Sequence, residues 1–548
     1  MKTFRLFLLG FLPISALIAL PLLLRLSNLQ PNIMSPDRSS QYHENLVIIT
    51  PHNECIRFEF EMAFKRYMLK KENIVVSIDW RMPGGTSDIV KYINDRFTTE
   101  FKTYWESIGN KWDKKVAESF SNNKLDKTSD NIDPILKLAR KQFLESNVGI
   151  GIDLFFGGGQ YEMEKQAQKG FAVNAGLLEM HPDWFYENVI PQKFSGEIFY
   201  DPEGRYYGTC ISSFGIFYNQ DCIDLLGIKA PERWKDLSSE KYFNFLTLAD
   251  PTKSGSINKC FEMIVQQTIA NAIKNSGRKT IDSIELGWKE GLNLIKKIGA
   301  NSRYITDSAS KVPADVARGD SAAGICIDFY GRTQAEWAHH QIGNRARLKY
   351  VTPIGGSSIS ADTIMLFRGA PNKKIAVKFI EFVLSTEGQN LWNAMPGTPG
   401  DPEKYALRRL PIRKDMYSED KRAFMSDPDA NPFSPEEEFY YDPSLTARYF
   451  PLLRILFKVM VMDPLPELKN AWKKIIENGG PEKNPQAMKE FEALPFKYAE
   501  ADKVNSYLNP SSEGNTPLKA IEKQRELSEF FRKQYLKTAQ ILEELKMK

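Results

Sequence analysis

The feature that most constrains this chain is an alternation of segment types just past residue 45. Leu46-Val-Ile-Ile49 is a short apolar run of the kind that forms a buried strand. From Glu54 to Lys71, Ile56, Phe60, Ala63, Phe64 and Tyr67 recur at helical spacing, and Ile74-Val-Val-Ser-Ile78 is β-branched again. A buried strand, an amphipathic helix and a second buried strand form a βαβ unit. Such units predict a parallel or mixed sheet with helices on its faces, and ligands that sit beyond the carboxyl ends of the strands. The loops that follow strands are therefore the places to look for function.

Three of those loops are rich in glycine or serine. Gly84-Gly-Thr-Ser87 opens a helix carrying Ile89, Tyr92, Ile93 and Phe97, and Gly157-Gly-Gly159 follows Ile152-Asp-Leu-Phe-Phe156. Asp250-Pro-Thr-Lys-Ser-Gly-Ser256 follows Phe245-Leu-Thr-Leu-Ala249 and precedes a helix with Ile257, Cys260, Phe261, Ile264, Val265 and Ile269 on one face. The free amides of a helix start attract an anion or a polar ligand's oxygens. Simple capping accounts for serine and threonine at any one such start, because they satisfy the helix's own amides. Three together are better explained by a ligand.

Lys2 and Arg5 precede an apolar run from Leu6 to Leu24, about as long as the ~20 residues that span a bilayer core. Residues 1–30 read as a signal anchor or signal peptide. No small-x-small exit follows Pro21, which favours an uncleaved anchor in the inner membrane and a periplasmic or otherwise extracytoplasmic body. Residues 31–44 are polar, with Pro31 and Pro36, and read as a tether. The 73 basic and 69 acidic residues leave a net charge of +4, too small a bias over 548 residues to point to nucleic acid. Five cysteines without a CxxC argue against a zinc ribbon or a disulfide framework. There is no GxxxxGK[ST], HExxH, GxSxG or EF-hand loop, so nothing compels catalysis. His339-His340 reads as an exposed surface pair.

Residues 98–146 have the character of an insertion with helical ends, and the chain changes character again beyond Pro411. The last segment, from Thr516, has Pro517 in its first turn and apolar Leu518, Ile521, Leu527, Phe530, Phe531, Ile541, Leu542 and Leu545. It is expected to form a helix that packs on its own protein or, alternatively, binds a partner subunit.

In order and spacing, these loops resemble the substrate-binding proteins of ABC importers with the type II periplasmic binding fold, particularly the branch that includes ferric-iron binders. The resemblance runs over about residues 45–415. It is carried by Ile48-Ile-Thr-Pro-His-Asn-Glu54, Gly84-Gly-Thr-Ser87, Asp153-Leu-Phe-Phe-Gly-Gly-Gly159, Phe214-Gly-Ile-Phe-Tyr-Asn219, Asp250-Pro-Thr-Lys-Ser-Gly-Ser256 and Gly324-Ile-Cys-Ile-Asp-Phe-Tyr330, with Ala376-Val-Lys-Phe-Ile-Glu-Phe-Val383 and then Ser385, Gly388 and Gln389.

The resemblance implies two hinged α/β lobes: lobe one over 45–214, lobe two over 215–364, a return to lobe one over 365–415 and a helical extension over 416–548. The crossings are expected near Gly215–Asn219 and Ala361–Phe367. It implies a ligand site built from His52, Asn53, Glu54, Gly85, Thr86, Ser87, Gly158, Gly159, Ser213, Thr252, Ser254, Gly255, Ser256, Asp328 and Tyr330. Where the iron binders carry two adjacent tyrosines, this chain reads Phe329-Tyr330. Three readings stay open: a reduced metal set of His52, Glu54 and Tyr330 for ferric iron as carried ligand, Tyr330 hydrogen-bonding or stacking on an organic solute, or a merely structural Tyr330. The implied function is capture of a small polar or anionic solute for a membrane permease, with no cofactor and no catalysis. The competing readings are an anchored ligand sensor or scaffold, in which the C-terminal helices read lobe closure, and an anchored hydrolase.

Overall fold

The computed structural model describes residues 42–127, 133–342, 347–398, 400, 402–433, 439–508 and 515–547. The apolar run at 6–24 and most of the tether lie outside them. No described helix is long and apolar enough to cross a membrane.

The βαβ unit forms as its pattern dictates. Strand Tyr42–Ile49 is followed by helix Glu54–Glu72 and strand Ile74–Arg81, and the two strands pair in parallel over their whole length, from Tyr42 with Ile74 to Ile49 with Arg81. The strand thus begins at Tyr42, inside the expected tether, because the pairing holds residues whose own polarity gives no strand signal. The helix starts where the Asn53 side chain accepts from the Ile56 amide at 3.1 Å, and it ends at Asn73 in the left-handed conformation.

Two mixed sheets organise the molecule. In the first, the strand order is Leu410–Pro411, Tyr206–Ser212, Ser360–Phe367, Leu154–Gly159, Tyr42–Ile49 and Ile74–Arg81, with Ala172–Val173 paired to Ser360–Phe367. In the second it is Ser302–Thr306, Leu246–Ala249, Ala323–Ile327, Phe214–Asn219 and Leu348–Val351. The chain leaves the first sheet at Ser213 and returns between Val351 and Ser360.

The crossings therefore differ from the expected ones. Ser360–Phe367 is not a crossing strand but an inner strand of lobe one, paired antiparallel with Tyr206–Ser212 from Ser360 opposite Ser212 to Met365 opposite Tyr206. Lobe two ends before Ser360 rather than at 364. Isolated apolar runs carry no record of which sheet they join, and only the register settles it.

Residues 98–146 are built into lobe one rather than appended to it. Helix Thr86–Ser107 runs straight through their start. Phe97, Phe101, Trp105, Phe120 and Phe143 are buried in one cluster with the sheet residues Ile49, Phe155 and Phe367. The C-terminal extension is divided. Tyr417 and Phe433 pack on the lobe-one core, whereas residues from Phe439 to Leu542 belong to the lobe-two core beside Phe261, Trp288 and Leu292.

Candidate ligand-binding cleft

Between the lobes lies a cavity of about 610 Å3. Several helices begin on it, among them Glu54–Glu72 at Asn53 and Lys311–Arg318 at Ser310, and three follow the expected loops. Gly85 stands before helix Thr86–Ser107, Gly159 before Gln160–Lys169, and Ser254 before Gly255–Ser276. These are the three glycine- and serine-rich loops. Two come from lobe one and one from lobe two, and they meet because each follows a strand whose carboxyl end points at the cleft. The lobes touch at its edge: a Cβ on Gly85 would stand 2.8 Å from the carbonyl oxygen of Lys253. At Ser254 the hydroxyl accepts from the Ile257 amide at 3.3 Å and lies 3.1 Å from the Ser256 hydroxyl. The first amides of a helix have no acceptor within it, and at Gly255–Ser276 the Ser254 cap takes up that of Ile257.

Of the expected site residues, His52, Asn53, Gly85, Thr86, Gly158, Gly159, Ser254, Gly255, Ser256 and Tyr330 line this cavity. Five do not. Glu54 is exposed in the first turn of its helix. Ser87 is buried and its hydroxyl accepts from Arg454 Nη1 at 3.1 Å. Ser213 is buried at the crossing, 3.2 Å from the Tyr350 hydroxyl and 3.1 Å from that of Thr352. Thr252 caps its own turn by donating to Asp250 Oδ1 at 2.7 Å. Asp328 is fully buried and accepts from Arg332 Nη2 at 2.9 Å. The set His52, Glu54 and Tyr330 is therefore not assembled, because the helix start turns Glu54 to solvent. Among the described residues no three His, Cys, Asp or Glu side chains group as metal ligands.

His52 lies beneath the cavity floor. Its ring stands edge-on to Phe156 with centroids 4.7 Å apart, and its Nε2 is buried without a hydrogen-bond partner. A Cβ on Gly157 would fall 2.6 Å from that nitrogen, so the glycine, at φ +99°, makes room for the ring. Burial, aided by Arg409 and Arg57 against Asp362, lowers its pKa from 6.5 to about 3. Between those values the unfolded chain binds a proton that the folded one refuses, so the stability His52 contributes is complete above pH 6.5 and drains away as pH falls toward 3. The expected slope approaches about 1.4 kcal/mol per pH unit. Unfolding free energies of the wild type and His52→Gln, measured from pH 7 to 4, should converge as pH falls. Parallel curves would refute the assignment.

The residues that sequence reasoning missed are charged and come from distant parts of the chain. Arg409 is 1% exposed, pairs with Asp362 through Nη1, donates from Nη2 to the Ser212 hydroxyl at 2.9 Å, and leaves Nε buried without a partner. Its guanidinium lies 4.4 Å from the Phe329 ring centroid and 5.6 Å from that of Trp392. Burial raises the carboxyl of Asp362, but Arg409 and His52 more than offset it and hold it below the usual range. Burial pushes the Tyr330 phenol up, which keeps it a neutral hydroxyl.

A second buried group forms another wall. Lys259 Nζ lies 2.9 Å from both Glu197 and Glu262, and 3.8 Å from the centroid of the Tyr441 ring. Glu262 also accepts from the Tyr441 and Thr446 hydroxyls at 2.7 Å, and Glu197 accepts from Ser358 at 2.5 Å. The deep carboxylates are thus already engaged by the protein's own donors.

Two mixed α/β lobes, joined by crossing strands and holding a cavity between the carboxyl ends of their strands, make up a periplasmic-binding-protein fold. Residues 152–416 match the family model of the bacterial extracellular solute-binding proteins. An uncharacterised protein of Haemophilus influenzae is 26% identical over 247 residues, 44% of this chain and 60% of that protein. The phosphoglycerate transport regulatory protein PgtC of Salmonella typhimurium is 20% identical over 265 residues, 48% of this chain and 56% of that protein. The chain thus spans less than two thirds of the curated relatives it matches. The structure of the periplasmic binding protein P5PA superposes with a TM-score of 0.48 at 17% identity, covering 76% of this chain and 99% of that one.

Proposed function

We propose that the protein is the extracytoplasmic solute-binding component of an ABC-type importer and that it captures a small organic anion, bearing phosphate or carboxylate, between its lobes. The observation that carries this reading is the division of hydrogen-bonding capacity in the cleft. Several helix starts open on it, among them those at Gly85, Gly159 and Ser254, while Asp362, Glu197 and Glu262 are engaged by Arg409, Lys259 and neighbouring hydroxyls. An oxygen-rich ligand completes such a site, and a cationic one would compete with bonds already made. In this reading the amides and hydroxyls at Thr86, Gly159, Ser254 and Ser256 hold the anion and Tyr330 donates to it. The name of the Salmonella relative, a phosphoglycerate transport regulatory protein, is in keeping with that class. The partner is a permease in the membrane, and residues 6–24 would keep the protein beside it.

Thermal unfolding of the full chain against 3-phosphoglycerate, fructose 6-phosphate, citrate, ferric citrate, inorganic phosphate and spermidine tests this. A ligand at about 100 times its Kd adds about 2.7 kcal/mol and raises the midpoint measurably. Stabilisation by a phosphorylated or carboxylated compound is expected. Stabilisation by spermidine alone, or by none of the panel in protein refolded free of carried-over ligand, would overturn the proposal.

A further inference from the structure

The family match ends at residue 416, yet the cavity does not. Tyr441, Pro443, Ala447 and Phe450 line it as well. These residues are held to lobe two: the Asn258 side chain donates to the Phe450 carbonyl at 2.8 Å, Phe457 stacks on Phe261 at 4.3 Å, and Gln266 donates to the Asp442 carbonyl at 2.7 Å. From that base the segment reaches across to lobe one at two places. At the first, the Tyr441 amide donates to the Ser195 carbonyl at 2.9 Å, and a Cβ on Gly196 would collide with the Tyr441 carbonyl oxygen at 1.8 Å. At the second, helix Phe450–Phe457 presents Arg454, which donates to the Ser87 hydroxyl at 3.1 Å and to Glu162 at 3.3 Å, while Phe450 packs on Tyr161 with centroids 5.1 Å apart. Ser87 and Glu162 lie within the first turns of the two lobe-one helices that open on the cavity.

We infer that residues 439–457 are a latch, which walls the solute cavity from a third side and holds the lobes together through Arg454. A two-lobed binder without such a segment closes when the ligand supplies contacts to both lobes. Here part of that interaction is built into the chain. The Arg454 and Glu162 side chains are 16% and 15% exposed, so their pairing is largely shielded from water and salt. Opening the cleft exposes both, together with Phe450 and Tyr161. The lobe-closing equilibrium is thus biased toward the closed form before any ligand arrives. The same segment limits the solute, since Tyr441 and Phe450 occupy space that an open-sided cleft would leave to it.

The size limit rests on the binding function proposed above, whereas the latch does not, and the two are separable by experiment. Fluorescence energy transfer between dyes placed at exposed Lys91 in lobe one and Lys311 in lobe two of the full chain reads lobe separation without ligand. Glu162→Gln leaves the packing of Arg454 in place and removes only the opposing charge; Arg454→Ala removes both. Both ligand-free variants are expected to shift toward lower transfer than wild type, with Arg454→Ala shifted further, while cooperative melting shows that each is folded. Added 3-phosphoglycerate should restore high transfer in the variants, with an apparent Kd raised by about tenfold. Unchanged transfer in both folded, ligand-free variants would overturn the latch. If transfer shifts but no panel compound binds, the latch stands and the solute assignment fails.

Discussion

Arg409→Met should be the most damaging single substitution in the cleft, costing about 3–5 kcal/mol, the range found when one partner of a buried ion pair is removed. Arg409 satisfies Asp362 and Ser212 at once and lies against Phe329 and Trp392, so the methionine leaves Asp362 charged and without its counter-ion in the cavity wall. Burial alone would lower the charge on Arg409. Asp362 reverses that effect and leaves its pKa raised. Adding Asp362→Asn should recover part of the loss, because the double variant buries no uncompensated charge. Chemical denaturation of the two single variants and the double one measures this coupling. Additive losses would show that the pair is not the source of the cost.

How much of this was legible in the sequence follows from how locally each feature is encoded. The strand at Leu46, the helix from Glu54 and the loops at Gly84, Gly157 and Ser254 were readable because apolar period and cap chemistry act over a few residues. Each loop that was expected at a helix start is found there, and all three open on one cavity. Arg409 was invisible for the opposite reason. Its partners Asp362 and Ser212 lie 47 and 197 positions away, and it follows no recognisable pattern. The same holds for Lys259, whose Glu197 partner comes from the other lobe. The resemblance to the iron binders points to Glu54, but its place in the first turn of its helix turns the side chain out of the cleft. The aromatic residues between Phe97 and Phe143 give no sheet-packing signal because charged neighbours lend that stretch the composition of an insertion, although Phe101, Trp105, Phe120 and Phe143 are buried in one cluster with sheet residues.

The C-terminal helix supports the second large prediction. Within helix Pro517–Met547, Leu527, Phe531, Tyr535 and Leu542 are all at most 5% exposed, and they face the core of lobe two. Full burial contributes about 1.5–3 kcal/mol for each such side chain, so the four together supply roughly 6–12 kcal/mol. That is comparable to the whole stability of a domain. Specific bonds reinforce the docking: the Tyr535 hydroxyl donates to the Met460 carbonyl at 2.8 Å, and Gln534 donates to the carbonyls of Glu490 and Ala493, each at 2.7 Å. Lys296 is buried beneath the helix with its ammonium 5.4 Å from the Phe531 centroid and 5.9 Å from that of Tyr535. Truncation after residue 515 would open this lysine and the surrounding apolar surface to water at once. Lobe two is expected to lose cooperative unfolding, while lobe one, whose core clusters contain no residue of this helix, keeps its own transition. Calorimetry of the truncated chain should show one surviving transition, and limited proteolysis should cut first within 215–359. Two intact transitions would mean that the helix is an ornament on a lobe that folds without it, and the latch at Arg454 would then need a different foundation.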